Sequence, residues 1–317
     1  MLVCPDCRKN IGKFTTFAQG EDKPRAVRCG ACGWQRAIED GILNAMPSKY
    51  SRLRSGYLDY YEQLAEQDLS SPFIEQEYAA ALNQRTAISL GELRDKSGCE
   101  LGVGTGHLVR ELLGRGAKMT AVDISSTYLK ALVGYGDMPR VQADAENLPF
   151  QNEFDFVTCT DVMEHVLNPG NLLYCINDAL KPGGVAAIRV PADENPLLYS
   201  NHLGCEYDIV HLRSFNEAAF RQMLEGAGFA VKSLEPDGHS LSMALPNSCE
   251  NSAELLNDVG HVRALLIERG VTPAELMKTP PWFKNLLSKP YFYLAIAEKT
   301  HRIFPSTDQG FVLEPLK

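Results

Sequence analysis

The chain has 317 residues, 44% of them hydrophobic and 22% charged, with a formal net charge of −9. These proportions belong to a folded globular chain and exclude a collagenous or disordered one. The acidity also argues against a surface that coats nucleic acid throughout. The charge is uneven, however: residues 1–54 carry a net +5 and the remainder −14. Any anionic partner would therefore meet the basic head. No uncharged apolar run approaches the roughly 18–20 residues that span a bilayer. Met1–Cys7 also lacks the apolar stretch of a secretion signal, so a cytoplasmic location is expected.

The first 46 residues read as a unit of their own. Short β-like runs (Lys13–Phe17, Ala26–Arg28) alternate with cysteine-bearing turns. Cys4-Pro-Asp-Cys7 and Cys29-Gly-Ala-Cys32 are two C-x-x-C knuckles with 21 residues between them. A two-residue spacer lets both sulfurs of a knuckle face one ion, and Zn²⁺ prefers four tetrahedral thiolates. So small a domain cannot bury much core and needs a staple. Cys4, Cys7, Cys29 and Cys32 are thus expected to hold a structural zinc in a ribbon. The other five cysteines are scattered and do not form a disulfide pattern.

Residues 47–95 read as a helical linker and cover. Leu53, Tyr57, Tyr60, Tyr61 and Leu64 fall near helical spacing, and a second helix is expected from Ser71–Pro72. From residue 97 strands and helices alternate. Strands are expected at Gly98–Leu101, Met119–Val122, Val141–Ala143, Phe154–Cys159, Val185–Val190, Ala230–Ser233 and Phe292–Ala297. Helices are expected at His107–Arg115, Ser126–Val133, Pro169–Leu180 and Asn216–Gly226. Such alternation calls for an α/β fold with a mostly parallel sheet. The stretch 241–289 interrupts the last strand pair. It is a candidate helical lid or homodimer surface, with ordinary core packing as the alternative. Residues 301–317 form a tail.

Glu100-Leu-Gly102-Val-Gly104-Thr-Gly106 follows an expected strand and opens a helix. The dinucleotide fingerprint would need glycine at 107, where His107 stands. The spacing E-x-G-x-G-x-G resembles motif I of class I S-adenosylmethionine methyltransferases. Ala121-Val-Asp123, the segment Ala143-Asp144-Ala145-Glu146-Asn147-Leu148-Pro149-Phe150, Asp161-Val-Met-Glu164-His165, Leu180-Lys-Pro-Gly-Gly184, and His211-Leu-Arg-Ser-Phe215 ahead of Ala227-Gly-Phe229 follow in the family's order. The match covers most of residues 97–233 and is nearest the type 11 group that includes ubiquinone-biosynthesis O-methyltransferases. The resemblance implies a Rossmann-like seven-stranded methyltransferase domain over residues 96–300. It also implies S-adenosylmethionine as cofactor. Glu100, Gly102, Gly104, Gly106, Asp123, Ile124, Asp144, Ala145 and Asp161 would form its site. Asp123 would take the ribose hydroxyls and Asp144 with Ala145 the adenine edge.

A sulfonium methyl is already an activated electrophile, so few catalytic side chains are obligatory. Candidate bases lie after strand four (Asp161, Glu164, His165) and strand five (His202, His211). His165 is preferred because imidazole titrates near neutrality, with Asp161 and His211 beside it; a structural histidine is the alternative. The resemblance also raises a Mg²⁺ site on Glu164 and His165, which two adjacent ligands do not complete. Tyr199, His202, Tyr207 and His211 would face the acceptor. A small molecule or glycan, methylated on a hydroxyl or amine, is the expected acceptor. The alternative is rRNA, because a zinc ribbon on this fold resembles the 23S rRNA guanine-N1 methyltransferases and here is basic (Arg8, Lys9, Lys13, Lys23, Arg25, Arg28, Arg36). A third reading is a cofactor-binding protein that does not methylate and docks a partner.

Overall fold

The computed structural model describes residues 1–13, 26–49, 52–71, 76–193, 211–239 and 290–300. The expected strand Lys13–Phe17 beyond its first residue, the basic residues Lys23 and Arg25, the Pro72 helix start, the loop bearing Tyr199, His202 and Tyr207, the 241–289 insertion and the tail all lie outside these residues.

In the ribbon, β1 (Leu2–Val3) pairs with β2 (Asn10–Gly12), and β3 (Ala26–Arg28), β4 (Gln35–Glu39) and β5 (Ile42–Asn44) follow. Two helices come next, α1 (Arg52–Ser70) and α2 (Gln76–Ser89). The catalytic-domain pattern then runs β6 (Ser97–Leu101), α3 (His107–Gly114), β7 (Lys118–Asp123), α4 (Ser126–Ala131), β8 (Arg140–Gln142), β9 (Phe154–Thr160), α5 (Pro169–Ala179), β10 (Leu180–Pro191), α6 (Glu217–Gly226), β11 (Phe229–His239) and β12 (Pro290–Lys299). Among the described residues the sheet order is β11-β12-β10-β9-β6-β7-β8-β5-β4-β3. All seven expected strands are present. β8, β7, β6, β9 and β10 are parallel, and β12 enters antiparallel between β10 and β11. The chain starts at β6, builds outward to β8, then crosses to β9 on the other side of β6. Ligands of open α/β sheets bind where the order reverses in this way, at the strands' carboxyl ends.

Helix starts follow their caps. Ser125 Oγ accepts from the Thr127 and Tyr128 amides, Asn168 caps α5 ahead of Pro169, and Asn216 caps α6. The helix expected over Ser126–Val133 gives way after Ala131 to a 3₁₀ turn, Leu132–Tyr135, at Gly134. Glu164 and His165 lie in a turn, and the next helix starts at Pro169, as expected.

The ribbon is separate in sequence but not in packing. The stretch Ile42–Asn44, not among the strands expected from the sequence, is a strand that runs parallel to β8, placing Leu43 beside Val141. The sheet is therefore extended from seven strands to ten. Leu2, Val27, Trp34 and Leu43 share one core with Val141, Leu148 and Phe150. The opposite face buries Leu93, Leu108, Leu112, Leu129 and Phe156 together. No helix among the described residues is long and apolar enough to cross a membrane.

A shared core predicts shared unfolding. Amides of residues 42–44 and 140–142 should open with the same free energy in hydrogen-exchange mass spectrometry under mild denaturant. A ribbon opening about 2 kcal/mol or more before the sheet would make it an independent unit.

Candidate functional site

A cleft of about 890 Å³ opens at the carboxyl ends of the parallel strands. Its walls are Leu101–Gly102 and Gly104 after β6, Asp123–Ile124 after β7, Ala143–Glu146 after β8, and Asp161, Val162, His165 and Val166 after β9. Tyr57, Tyr61 and Leu64 of α1 and Tyr128 of α4 complete it. Of the expected site residues, Gly102, Gly104, Asp123, Ile124, Asp144, Ala145, Asp161 and His165 come together here. Gly106 lies behind, at the start of α3, and Glu100 is buried at the end of β6 outside the lining.

The glycines are required by space as well as by backbone. At Gly102, with φ +67, an added Cβ would lie 2.3 Å from a Val162 methyl. At Gly106, with φ +82, it would lie 2.5 Å from Leu132. Gly106 gives α3 no side-chain cap, which leaves first-turn N–H groups for a ligand.

Asp123 is only 6% exposed. Its Oδ2 accepts from Gly104 N at 3.1 Å and its Oδ1 from Ser125 N at 2.9 Å. Burial raises its pKa to about 6, against the pull of those two N–H groups. Asp144 Oδ1 accepts from Glu146 N at 2.9 Å and so caps a 3₁₀ turn over Ala145–Asn147. Asp161 sits at φ +57 and holds Arg189 with both oxygens, Nε at 3.2 Å and an NH group at 2.5 Å.

Helix α1 is more than the connector and sheet-edge cover expected of it. Tyr57 Oη donates to the His165 carbonyl at 2.6 Å, and the Tyr61 ring meets the His165 ring edge-on at 5.9 Å. Burial holds both phenols far above their ordinary pKa, so they stay neutral. Glu62 accepts from Ser125 Oγ (2.7 Å), Ser126 N (2.7 Å) and Thr127 N (3.1 Å), bonds that lower its pKa. A carboxylate there also suits the positive end of α4. Glu62 was not anticipated. Its only sequence signal is an acid beside the Tyr57/Tyr61 pair on an otherwise apolar stripe.

Glu164, His165 and His211 form one cluster, with ligand atoms within 4.8 Å of one another. His165 Nε2 is 3.9 Å from Glu164 Oε1, and the two imidazoles are 4.7 Å apart. Glu164 is fully buried. His211 is carried there by its neighbours: Leu212 N donates to Glu164 O at 2.9 Å, and Arg213 donates to the carbonyls of Val166, at 2.6 Å, and Leu167. His211 adds a second imidazole to the Glu164–His165 pair, and two imidazoles with one carboxylate do not make the oxygen set that Mg²⁺ takes.

In the ribbon, Cys4 Sγ is 3.5 Å from Cys32 Sγ and Cys7 Sγ is 3.6 Å from Cys29 Sγ, all four within 4.8 Å. Sulfurs about 2.3 Å from a tetrahedral zinc stand about 3.8 Å apart, so the donor set fits. Two of the basic ribbon residues are engaged within the molecule. Arg8 reaches Asp178 at 3.2 Å, and Arg36 lies over the Trp34 ring and donates to Pro47 O at 3.0 Å.

Residues 73–234 match a family described as Methyltransferase domain. Among curated relatives, a ubiquinone biosynthesis O-methyltransferase of Psychrobacter cryohalolentis is 30% identical over 140 residues, covering 41% of this chain and 53% of that one. The Aeromonas salmonicida enzyme of the same name is 28% identical over 176 residues, covering 48% and 74%. The chain thus spans about half the length of the first of these (53%). Among solved structures, a chain from a Haloferax volcanii complex containing the Trm112 methyltransferase activator superposes with TM-score 0.54 at 17% identity, covering 77% of this chain and 97% of that one. A Burkholderia thailandensis 1,6-didemethyltoxoflavin-N1-methyltransferase gives 0.50 at 15% identity, covering 84% and 96%. These two likenesses concern the fold.

Gly102→Ala should destabilise the chain by about 2–5 kcal/mol, the sum of left-handed strain of about 1–2 and overpacking of about 1–3. The urea midpoint measures it. A change within about 0.5 kcal/mol would show that the turn relaxes freely.

Proposed function

Because the chain belongs to the methyltransferase domain family, we propose that it transfers the methyl group of S-adenosylmethionine to a hydroxyl of a small-molecule acceptor. The observation that carries this is one cleft lined by Asp123, Asp144 and His165, the last in contact with Glu164 and His211. Bound S-adenosylmethionine supplies a sulfonium methyl that an acceptor oxygen takes in line, the sulfur leaving as a thioether. The chain's own residues bind and orient it. Asp123 offers a buried carboxylate to the ribose hydroxyls, and the turn from Asp144 to Ala145 offers polar groups to the adenine edge. Gly102 and Gly104 would let the backbone approach the cofactor, Ile124 would line its site beside Asp123, and Gly106 would leave the first-turn N–H groups of α3 uncapped behind it.

His165 takes the hydroxyl proton as the oxygen–carbon bond forms. Tyr57 fixes its backbone, and His211 and Glu164 stand against its ring. Asp161 serves as a positioning residue, because both of its oxygens are on Arg189. Oxygen is favoured over nitrogen as acceptor by the names of the curated relatives. The rRNA alternative loses support from the engagement of Arg8 and Arg36 inside the molecule. The four ribbon cysteines hold one structural zinc; four thiolates leave it no open position.

Two outcomes test this reading. Asp123→Asn should weaken S-adenosylhomocysteine binding by about 1.5–3 kcal/mol, the value of a hydrogen bond to a charged group. In the wild type the accepting carboxylate is fully present above pH 6 or so and is lost as pH falls through that value. Calorimetric affinity should therefore be flat above it and decline below; equal affinity on both sides would remove Asp123 from the ribose. His165→Asn should lower turnover on a phenolic or catechol acceptor by about 10²–10⁴-fold, the share of a general base, with cofactor affinity preserved. Wild-type turnover would return His165 to a structural role.

A further inference from the structure

The first cysteine knuckle is bolted to the back of the cleft wall. Arg8 follows Cys7 directly, sits at φ 60, and its N–H closes the knuckle turn on Cys4 O at 2.9 Å. Its guanidinium leaves the ribbon and donates to Leu148 O at 2.5 Å, to Asn147 Oδ1 at 3.4 Å and to Asp178 at 3.2 Å. Asn147 answers by donating to the carbonyl of Pro5, between the two ligand cysteines, at 2.8 Å. Val3 N donates to Pro149 O at 2.8 Å, and Gln151 N to Met1 O at 3.0 Å. Residues 147–151 are thus laced along the knuckle. The same chain, one 3₁₀ turn earlier, is the wall formed by Ala143–Glu146, and Asn147 N donates to Asp144 O at 2.8 Å. Asn147 therefore bonds to the knuckle with its side chain and to the wall with its backbone.

We propose that Arg8 is a positioning residue for the cofactor, and that metal occupancy of the four-cysteine site is thereby coupled to cofactor affinity. An ion joins the two knuckles into one geometry, and that geometry aims Arg8 and Pro5 at Asn147–Leu148. Without it the lacing loosens and Asp144 with Ala145 loses its register toward the adenine. Linkage makes the coupling reciprocal: bound cofactor tightens metal retention by the factor by which metal tightens cofactor. This rests on the zinc and S-adenosylmethionine readings given above.

The test is calorimetric titration of the full chain with S-adenosylhomocysteine, with zinc content measured on each sample. Four samples are compared: zinc-loaded wild type, Arg8→Gln, Arg8→Lys, and wild type stripped with a chelator. Arg8→Gln should keep its zinc and its thermal transition yet bind about threefold to thirtyfold more weakly, the range for residues that act on a site through a neighbour. Arg8→Lys, which retains the charge toward Asp178 but not the fork, should fall between. At saturating S-adenosylmethionine the loss should lie in KM, with kcat changed less than about twofold. Stripped wild type should lose affinity by a comparable factor and regain it when zinc alone is restored. Should Arg8→Gln fail to fold, Asn147→Ala takes its place with the same expected loss. Wild-type affinity in a folded Arg8→Gln or Asn147→Ala would overturn the positioning role, and unchanged affinity after zinc removal would overturn the coupling. A chain that contains no zinc would refute the metal reading on its own, while absence of S-adenosylhomocysteine binding by the wild type would refute the cofactor reading.

Discussion

Carboxylates buried at the end of a parallel sheet must be neutralised, paired or held by N–H groups, and Asp161, Glu100 and Asp123 meet that demand in different ways. Asp161 takes Arg189 in a fork. Glu100 is pushed by burial, and by the charge of Asp123, well above the usual carboxylate range, against a weaker pull from Arg189. Asp123 has no cation partner in these bonds and is held in the cleft wall by the amides of Gly104 and Ser125. The glycine turn after β6 and the serine cap of α4 are tied to each other through that carboxylate. Glu62 then fastens the same cap to α1, so the cover helix, the β7 turn and the glycine turn form one connected frame.

The ribbon solves a different problem. β8 would end the parallel sheet with unpaired N–H and C=O groups, an edge that natural sheets cover or blunt. β5 covers it in parallel register, and β4 and β3 carry the sheet on to a short outer edge. A metal-stapled ribbon is a suitable cover because it does not depend on a large core of its own. It shares instead the core that holds Val141 and Leu148. The consequence is that Arg8, which composition reads as part of a basic surface, spends its charge on Asp178 and on loop carbonyls.

Much of this was legible from residue order. Strands such as Phe154–Thr160 are apolar on both faces, as a parallel sheet buried on both sides demands, and the glycine spacing after β6 excluded a dinucleotide site. The knuckles pointed to a four-cysteine cluster by spacing alone, and the structure gathers their four sulfurs within 4.8 Å. What could not be read were pairings across long sequence distance. Nothing local in Ile42-Leu-Asn44 says that it lies beside Arg140–Gln142, and its three residues are too few to show a period. Glu62 reads as one solvent-facing acid of a helix, and Arg189 as an anomaly in a buried strand, until Ser125 and Asp161 are placed beside them. Asp161 looked like a base because an acid after the fourth strand is well placed for one; the fork with Arg189 depends on register between β9 and β10, where Arg189 lies opposite Thr160.

The acceptor side depends on the same kind of distant contact. His165 belongs to the turn between β9 and α5, and His211 lies 46 residues farther along the chain. They meet because Arg213 and the Leu212 amide lace the later segment to the carbonyls of residues 164–167. Phe215 anchors that segment by its burial and by the bridge of its backbone to Ala192 at the end of β10. The spacing His211-x-Arg213-x-Phe215 is therefore a structural staple whose first residue is delivered to the cleft. Arg213 and Phe215 hold the backbone while His211 meets the ring of His165. This separation of anchor from presented side chain lets a short motif fix where His211 stands while leaving the residues around it free to vary in chemistry.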